Sequence, residues 1–466
     1  MNLIKRQATV TTMLFFLITS QVNSAEAAST IKSGALCTKP NSTITSNGNI
    51  FKCVKSGKKL VWKSLGSVMV KPSIAPSPTP APMSSSTPAP VASPTPTPKP
   101  TPTPTPFKAN IPITLPLSVS SDSNAITFEN IVSRVTDIPQ VAWQKSRDAL
   151  TASTHVSVVT EIFVGPNTKL DFPGGTKQIE DAVTSTTQLF SGFSQIKHLY
   201  VLAYNATDEP WAEQKWSNLA VSNGFSTQYN PEAIRIKGNC QQSNAPGSFS
   251  GEITRCGGSN MSTIVDTNDG IMELGMTGDS QDPYFLSGAL VGHEFTHSIQ
   301  AAQWIGDLTC GGTGGVHCMK EDRAHQIMPC WINEGQPNII GRLSVTSTLS
   351  EYLRTREGLP YGWGPTTITD YTESSLHDFL LNDAAPNCYE SGEKYKLGYS
   401  IGALATEALV AIGGPQATMA LYAMAASGND FASAFKNVYG IEWKDAVNTL
   451  AKVLYLEYIK FGPAPK

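Results

Sequence analysis

Long uninterrupted apolar segments are absent from the sequence after residue 27. The stretch that comes closest, residues 398–428, is interrupted by Glu407 and by the Gly-Gly-Pro of residues 413–415. A helix that spans a bilayer needs about 20 consecutive, predominantly apolar residues. We therefore expect no transmembrane segment in the mature chain.

Acidic residues are absent from residues 28–107, a segment that holds nine lysines. Because the net charge of the whole chain is −3, the remainder of the chain is acidic. A basic front segment favours adhesion to anionic polymers of a cell envelope, with a merely soluble basic module as the alternative. The acidic body argues against nucleic acid as a partner.

Residues 1–27 have the features of an export signal. Lys5 and Arg6 give a charged start, and the apolar run of residues 10–18 is too short to span a bilayer. Residues 25–27 read Ala-Glu-Ala, which places small side chains at the cleavage positions. We expect a secreted or cell-surface protein, and an uncleaved membrane anchor is the alternative.

The chain has eight cysteines, an even number, and an exported protein is expected to use them in disulfides. Cys37 and Cys53 lie in one segment and are predicted to pair. Cys240 and Cys256 bracket a loop rich in Gly, Ser and Asn and are also predicted to pair. The other four allow three connectivities, among which the sequence does not choose: Cys310, Cys318, Cys330 and Cys388.

A Pro/Thr-rich segment, residues 71–107, divides the chain and is predicted to be an extended linker. Before it lies a small module, residues 28–70, in which the runs IFKCVK and KLVWK flank a Ser-Gly-Lys turn. This pattern predicts a β-hairpin. The module resembles small cysteine-containing modules at the front of exported actinobacterial proteins. Residues 108–466 are predicted to form one larger domain.

The larger domain has a pattern typical of the α+β class. Its first half alternates between predicted helices and strands, and its second half is mainly helical, with apolar residues at helical spacing. A cleft between a sheet-containing half and a helical half is a common place for a site. The elements predicted in the first half are helices at 140–152 and 176–193 and strands at 156–165, 196–205 and 270–278.

Residues 291–300 read VGHEFTHSIQ, with two histidines four positions apart. On a helix, positions i and i+4 project from one face, so His293 and His297 can direct ring nitrogens at one metal ion. Glu294 then lies beside the ion without being a ligand, where its carboxylate can take a proton from water. The pattern predicts a divalent metal site on a helix.

Catalytic zinc usually takes three protein ligands and leaves one position open. The best candidate for the third ligand is Glu334, in the segment CWINEGQPNIIG. Trp331 and Ile332 precede it and can bury against the first helix, and a helical pattern follows it. The intervening segment holds three cysteines and several glycines, which is typical of a stapled loop that returns the chain to the site.

HEFTH followed by WINEG resembles the gluzincin group of zinc metallopeptidases, in the peptidase MA clan. The resemblance covers roughly residues 265–460. It implies a zincin-like fold, Zn²⁺ ligation by His293, His297 and Glu334, and general-base catalysis by Glu294. The function so implied is hydrolysis of peptide bonds in a peptide or protein substrate, with zinc as the cofactor.

Two further segments resemble those of the M1-like gluzincins. In KYKLGYS (394–400), the Tyr-x-x-Gly pattern implies that Tyr395 supports the oxyanion. GIMEL (270–274) is similar to a GxMEN segment, except that Leu274 replaces the asparagine. This second match implies that Glu273 holds a substrate amino terminus, and the alternative is a solvent-facing Glu273 on a strand at the rim of the site. Endopeptidase and aminopeptidase activity both stay open.

The chain also departs from the gluzincin pattern. The loop before Glu334 is longer than in many members. Four residues after that ligand, where thermolysin-like enzymes often have an aspartate that orients a histidine, the chain has Asn338. Support of the ligands by neighbouring side chains is therefore in doubt. We further expect the strand at 270–276 to bind the substrate backbone by edge addition.

The motifs allow other interpretations. A catalytically inactive zinc-binding surface protein with the same fold is the main alternative. A di-iron bundle would need a second ExxH helix, which the sequence lacks. The weaker metal candidates are a second zinc site at Cys310, Cys318, His317 and His325 and a calcium loop at DTNDG (266–270). The remaining histidines are expected to be structural or exposed: His155, His198 and His377.

Overall fold

The chain forms two compact units, residues 1–100 and residues 101–466, and each is described by itself. The computed structural model describes these residues: 43–46, 49–56, 59–67, 107–118, 122–154, 156–223, 236, 239–242, 253–264, 268–307, 324, 327–361, 371–382 and 397–461.

The first unit contains a three-stranded antiparallel sheet of β1 (Thr43–Ser46), β2 (Asn49–Ser56) and β3 (Lys59–Ser67). The predicted hairpin is present as β2 and β3, which pair up to the Ser56–Lys59 turn. Cys53 is fully buried and disulfide-bonded. Cys37 lies outside the described residues, so its predicted pairing stays a prediction.

The second unit is built around a mixed four-stranded sheet with the strand order β4-β5-β9-β8. Strands β4 (Val159–Val164), β5 (His198–Tyr204) and β9 (Asp269–Gly275) run parallel, and β8 (Ser259–Ile264) runs antiparallel to β9. Six of the seven residues of β5 are buried, as expected for a parallel strand covered on both faces.

The two faces of this sheet belong to two apolar cores. Val201 and Met272 face the larger core, which includes the helices that carry the site, whereas Leu202 and Ile271 face a smaller core that contains Trp216. This division follows from the alternation of side chains along a strand. The larger core therefore joins the sheet directly to the helical half.

Twelve described helices accompany the sheet. They are α1 (Ile138–Ala152), α2 (Gly175–Leu189), α3 (Glu209–Ser222), α4 (Pro283–Leu286), α5 (Ala289–Ala302), α6 (Cys330–Val345), α7 (Leu349–Arg356), α8 (Glu373–Asn382), α9 (Ala403–Gly413), α10 (Pro415–Ala426), α11 (Phe431–Tyr439) and α12 (Trp443–Phe461). A π-helical turn, Gly398–Gly402, leads into α9. The predicted α+β class, with a mainly helical C-terminal half, is confirmed.

Helix lengths bear on the expected absence of a membrane span. Among the described residues, no single helix is long and apolar enough to cross a bilayer. The bent pair formed by Gly398–Gly413 and Pro415–Ala426 passes the length and composition criteria only when the two helices are taken together, with a bend of 105°.

The expectation of an exposed edge at 270–276 is wrong. Strand β9 lies inside the sheet and pairs with β5 on one side and β8 on the other, so its backbone is already hydrogen-bonded. Glu273 is also not a solvent-facing residue, because it is fully buried and accepts a 2.7 Å hydrogen bond from the indole of Trp216. Its side chain lies on the α3 side of the sheet.

A disulfide joins Cys240 to Cys256, as predicted. It links two short antiparallel strands, β6 (Cys240–Gln242) and β7 (Ile253–Cys256), and β7 leads through two glycines into β8. Cys330 is also disulfide-bonded. The three cysteines that the sequence offers as its partner, at positions 310, 318 and 388, lie outside the described residues.

Candidate metal centre

The histidine pair lies on helix α5, as the sequence predicts. The helix begins after Gly288, which has a φ of +83°. A residue with a side chain would adopt this φ only at an energetic cost. His293 is 3% exposed and Glu294 is 5% exposed, so both project into the molecule. The HExxH segment is therefore a buried helix face, which suits a metal centre shielded from bulk water.

Helix α6 carries Glu334 and crosses α5 at very short distance. A Cβ atom on Gly292 of α5 would lie 3.0 Å from the Cα atom of Gly341 in α6. A Cβ atom on Gly341 would collide with the carbonyl oxygen of Ala289 and lie 2.8 Å from the amide nitrogen of His293. Only glycines permit this approach, and the approach brings the ligand-bearing helices together.

Helix α6 is equally close to the π-helical turn on its other side. A Cβ atom on Gly335 would collide with the backbone of Gly402, and one on Gly398 would lie 2.8 Å from the Cβ atom of Glu334. Glu334 is therefore wedged between α5 and the turn, and it is only 2% exposed. Single π-helical turns of this kind occur frequently at functional sites.

Three potential ligand atoms converge between these elements. The Nε2 atoms of His293 and His297 are 3.2 Å apart. The Oε2 atom of Glu334 lies 3.5 Å from the first and 3.4 Å from the second. Zinc–ligand bonds of about 2.0–2.2 Å in tetrahedral geometry give ligand–ligand separations of roughly 3.3–3.6 Å. The three atoms thus have the spacing of one face of a zinc tetrahedron.

The charge balance of this group also favours a cation. Burial alone lowers the pKa of His297, but the Glu334 carboxylate, with smaller contributions from Glu294 and Gln300, outweighs burial and raises the pKa to about 9. Burial raises the pKa of Glu334, but both imidazoles outweigh that effect and hold the pKa well below its usual value. Glu334 is therefore ionised, and its charge attracts a proton or a metal ion to the histidines. A buried set of two imidazoles and one carboxylate fits catalytic zinc.

Glu294 lies beside the ligand set without joining it. Its Oε1 atom is 4.0 Å from Nε2 of His293 and accepts a 2.6 Å hydrogen bond from the hydroxyl of Ser259. Ser259 is the first residue of β8, so the carboxylate is tied to the edge of the sheet. The bond orients the carboxylate and occupies one of its two oxygens.

A buried amide supports the second histidine. The Oε1 atom of Gln300 lies 3.0 Å from Nδ1 of His297, which keeps a proton on Nδ1 and makes Nε2 the atom that would give up its proton to a metal ion. The Nε2 atom of Gln300 donates at 2.9 Å to Gln336 and at 2.9 Å to the Tyr422 hydroxyl. Gln300 thereby connects α5 to α6 and α10.

A proline in α6 explains one more bond in this network. Pro337 has no amide proton, so the carbonyl of Asn333, four residues earlier, lacks its helical partner. That carbonyl lies 3.3 Å from Nε2 of Gln300 and shares one of its two protons with the acceptors on Gln336 and Tyr422. The Asn333 side chain accepts from Tyr422 at 2.9 Å. The residue next to Glu334 is therefore held from two sides.

Asn338 occupies the position at which thermolysin-like enzymes often have an aspartate that orients a histidine. Among the described residues, Asn338 makes no hydrogen bond to a histidine. Its amide donates at 2.6 Å to the carbonyl of Tyr399 in the π-helical turn. The ring of Tyr399 stacks parallel to the His293 imidazole, with centroids 5.7 Å apart. Asn338 thus acts one step away from the metal centre, through the turn that packs on His293.

The structure does not describe every residue named from the sequence. Tyr395, the segment of the proposed second zinc site and His155 lie outside the described residues, as do residues 266 and 267 of the acidic turn. His198 lies on β5 with its Nε2 atom 2.8 Å from the Oε1 atom of Glu161, and His377 lies beside Asp378 on α8. Neither of these two histidines belongs to the one metal-ligand group found in the described part of the chain.

Comparison with known proteins adds no family to this geometry. The chain matches no protein-family model, no curated protein and no solved structure.

Three residues around the site escaped the sequence interpretation. Gln300 offered a signal, because it follows His297 by three positions on the same predicted helix and therefore shares its face. Ser259 and Tyr399 offered none, because their proximity to the site depends on how the sheet and the helices pack.

Proposed function

We propose that this protein is a zinc-dependent hydrolase of peptide bonds. The observation that carries the proposal is the spacing of His293, His297 and Glu334, which form one face of a zinc tetrahedron beside the carboxylate of Glu294. Two imidazoles and one carboxylate leave a fourth position open, which distinguishes catalytic from structural zinc sites.

The three ligands would bind the ion, and neighbouring side chains would fix the orientation of the two histidines. Zinc, when bound, lowers the pKa of a water molecule toward neutrality and polarises a carbonyl group. Gln300 keeps the Nδ1 proton of His297 engaged, and the stacked ring of Tyr399 limits rotation of His293. A preorganised centre of this kind loses little energy to rearrangement during the reaction.

Glu294 is the proposed general base. Its Oε1 atom is engaged by Ser259, which leaves Oε2 to accept a proton from the attacking water. The same oxygen would then deliver that proton to the leaving amine, so that the peptide nitrogen departs as a neutral amine. Because Ser259 fixes the carboxylate, the acceptor oxygen points in a constant direction.

The substrate chain would bind along β8. In the described part of the sheet, β8 pairs with β9 on one side and has no strand on its other side. A peptide in extended conformation can add to the partly exposed start of this strand, at Ser259 and Asn260, through main-chain hydrogen bonds, which tolerates varied side chains. Ser259 begins this strand and contacts Glu294, so a peptide on β8 would lie next to the base.

We further propose that the enzyme acts outside the cell or at its surface. The signal-like residues 1–27 support export, and the lysine-rich residues 28–107 support attachment of the first unit to an anionic envelope polymer. The Cys240–Cys256 disulfide is consistent with an oxidising compartment.

The test is a Glu294→Gln variant, which keeps the size of the side chain and removes its basicity. We expect hydrolysis of a mixed peptide library to fall by roughly 100- to 10,000-fold, the usual contribution of a general base. Zinc content should stay at the level of the unmodified protein. Glu180→Gln, on an exposed face of α2, is the matched control and should keep full activity.

Two further measurements separate binding from catalysis. His293→Ala should lose zinc, measured as metal content after dialysis, and a chelator should abolish hydrolysis by the unmodified protein. A protein that retains zinc but cleaves no peptide in the library would instead support the alternative of a zinc-binding surface protein without turnover.

A further inference from the structure

A second charged group lies on the same helix as Glu334. Arg342 is 7% exposed, and within the described residues its guanidinium makes no ion pair. An unpaired charge in the interior is costly, so buried guanidinium groups are normally matched by carboxylates. Arg356 shows the usual solution, because it contacts Glu407 at 2.6 Å and Glu457 at 3.2 Å.

The hydrogen bonds of Arg342 leave one edge of the guanidinium available. Its Nε atom donates to the carbonyl of Thr355 at 2.9 Å, and Nη1 donates to the carbonyl of Asn338 at 2.6 Å and to the Asn338 side chain. None of the hydrogen bonds among the described residues uses Nη2. The ring of Tyr284 lies 4.3 Å below the guanidinium and supports its orientation.

Arg342 is connected to the metal centre by a row of side chains. Glu334, Asn338 and Arg342 follow at intervals of four residues and share one face of α6. Eight residues correspond to about 12 Å along the helix, or roughly three to four residues of an extended peptide. Tyr284, beneath the guanidinium, interacts electrostatically with both Glu294 and Glu334. Arg342 therefore lies within reach of a substrate held at the metal.

We propose that Arg342 binds a carboxylate of the substrate and makes the enzyme selective for peptides that present a carboxylate near the scissile bond. The inference rests on the proposed hydrolase function. Asp282 and Glu407 act on this arginine only from a distance, so a carboxylate at Nη2 would supply the ion pair in direct contact that the described residues do not make, and it would form a charge-assisted hydrogen bond. The carboxylate has two sources, an Asp or Glu side chain near the scissile bond or the carboxyl terminus of a short peptide.

The first experiment measures selectivity. Two peptide pairs are compared by kcat/KM, one that exchanges Glu for Gln near the scissile bond and one that exchanges a free for an amidated carboxyl terminus. We expect the acidic member of one pair to be preferred by roughly 10- to 100-fold, the usual gain from a hydrogen bond to a charged group. The pair that shows the preference identifies the source of the carboxylate.

Arg342→Met should bring that ratio close to one, whereas the control Arg354→Met, on the exposed face of α7, should keep it. Equal rates within both peptide pairs for the unmodified protein would overturn the proposal. So would a ratio that survives Arg342→Met, because Arg342 would then serve only to join α6 to the carbonyl of Thr355.

The second experiment needs neither turnover nor a stable Arg342 variant. Phenylglyoxal modifies accessible arginines, and mass spectrometry measures the modified fraction at Arg342 and at Arg354. N-acetylglutamate should protect Arg342 and not Arg354, and N-acetylglutamine should protect neither. Lack of reaction at Arg342, or equal protection by both probes, would overturn the proposal. The Glu294→Gln protein should show the same protection, so the carboxylate site is tested even where no hydrolysis is found.

Discussion

Replacing Gln300 tests the claim that a neutral amide prepares the metal centre. Gln300→Met keeps the volume of the side chain and removes both its acceptor and its donor. The Nδ1 proton of His297, 3.0 Å from Gln300, and the carbonyl of Asn333, 3.3 Å away, then lose their partners in a buried region. Each buried group left unsatisfied costs roughly 1–3 kcal/mol, so the free energy of unfolding should fall by about 2–6 kcal/mol.

Zinc affinity should fall as well. Loss of a side chain that orients a metal ligand typically weakens binding by roughly 10- to 100-fold. The measurement is a zinc titration in competition with a fluorescent chelator, together with urea unfolding of the metal-free protein. The two quantities separate an effect on the ligand from an effect on the fold.

Gln300→Glu provides the matched control. A carboxylate still accepts from Nδ1 of His297, but it has no proton to donate to the carbonyl of Asn333 or to Gln336. We expect this variant to lose stability and to keep zinc affinity close to that of the unmodified protein. If Gln300→Met bound zinc as tightly as the unmodified protein, the proposed orienting role would be refuted.

Two further predictions concern packing and pH. Gly402→Ala should lower the free energy of unfolding, measured in urea, by several kcal/mol, because the added Cβ atom would collide with the backbone of α6. The control is Gly358→Ala, whose added Cβ atom would have no neighbouring atom within 4 Å and should change stability little. Zinc affinity should rise roughly tenfold per pH unit from about pH 7 and level off near the His297 pKa of about 9, because zinc binds the imidazole only after its proton leaves. In the metal-free protein the stabilisation from this raised pKa is present at low pH and is lost as the pH rises through that value, so a flat zinc-binding profile would contradict the coupling.

The ligand set was predictable because its signal is local. His293 and His297 are placed by one helical turn, and Glu334 follows a tryptophan and an isoleucine that had to be buried. Helix and strand positions were equally local, and the strands predicted at 156–165 and 196–205 appear as β4 and β5 within a few residues. Periodicity contains this information without reference to the rest of the chain.

Strand order was not predictable, because it depends on pairings between distant segments. The apolar pattern of residues 270–276 fits an edge strand with one buried face as well as an interior strand. Only the pairing of β8 with β9 decides between them, and β8 comes earlier in the chain. The packing of α3 on one face of the sheet buries Glu273 against Trp216, so its exposure could not be judged from neighbouring residues.

The glycine crossing of α5 and α6 determines how the centre can respond to its contents. With the two backbones in contact at Gly292 and Gly341, the helices have no freedom to move closer, and shared core packing resists their separation. A cation larger than zinc would have to stretch the triangle of ligand atoms by side-chain rotation alone. In the proposed zinc site, discrimination among divalent ions would thus be set by main-chain contact at Gly292, the residue before His293, and at Gly341, seven residues after Glu334.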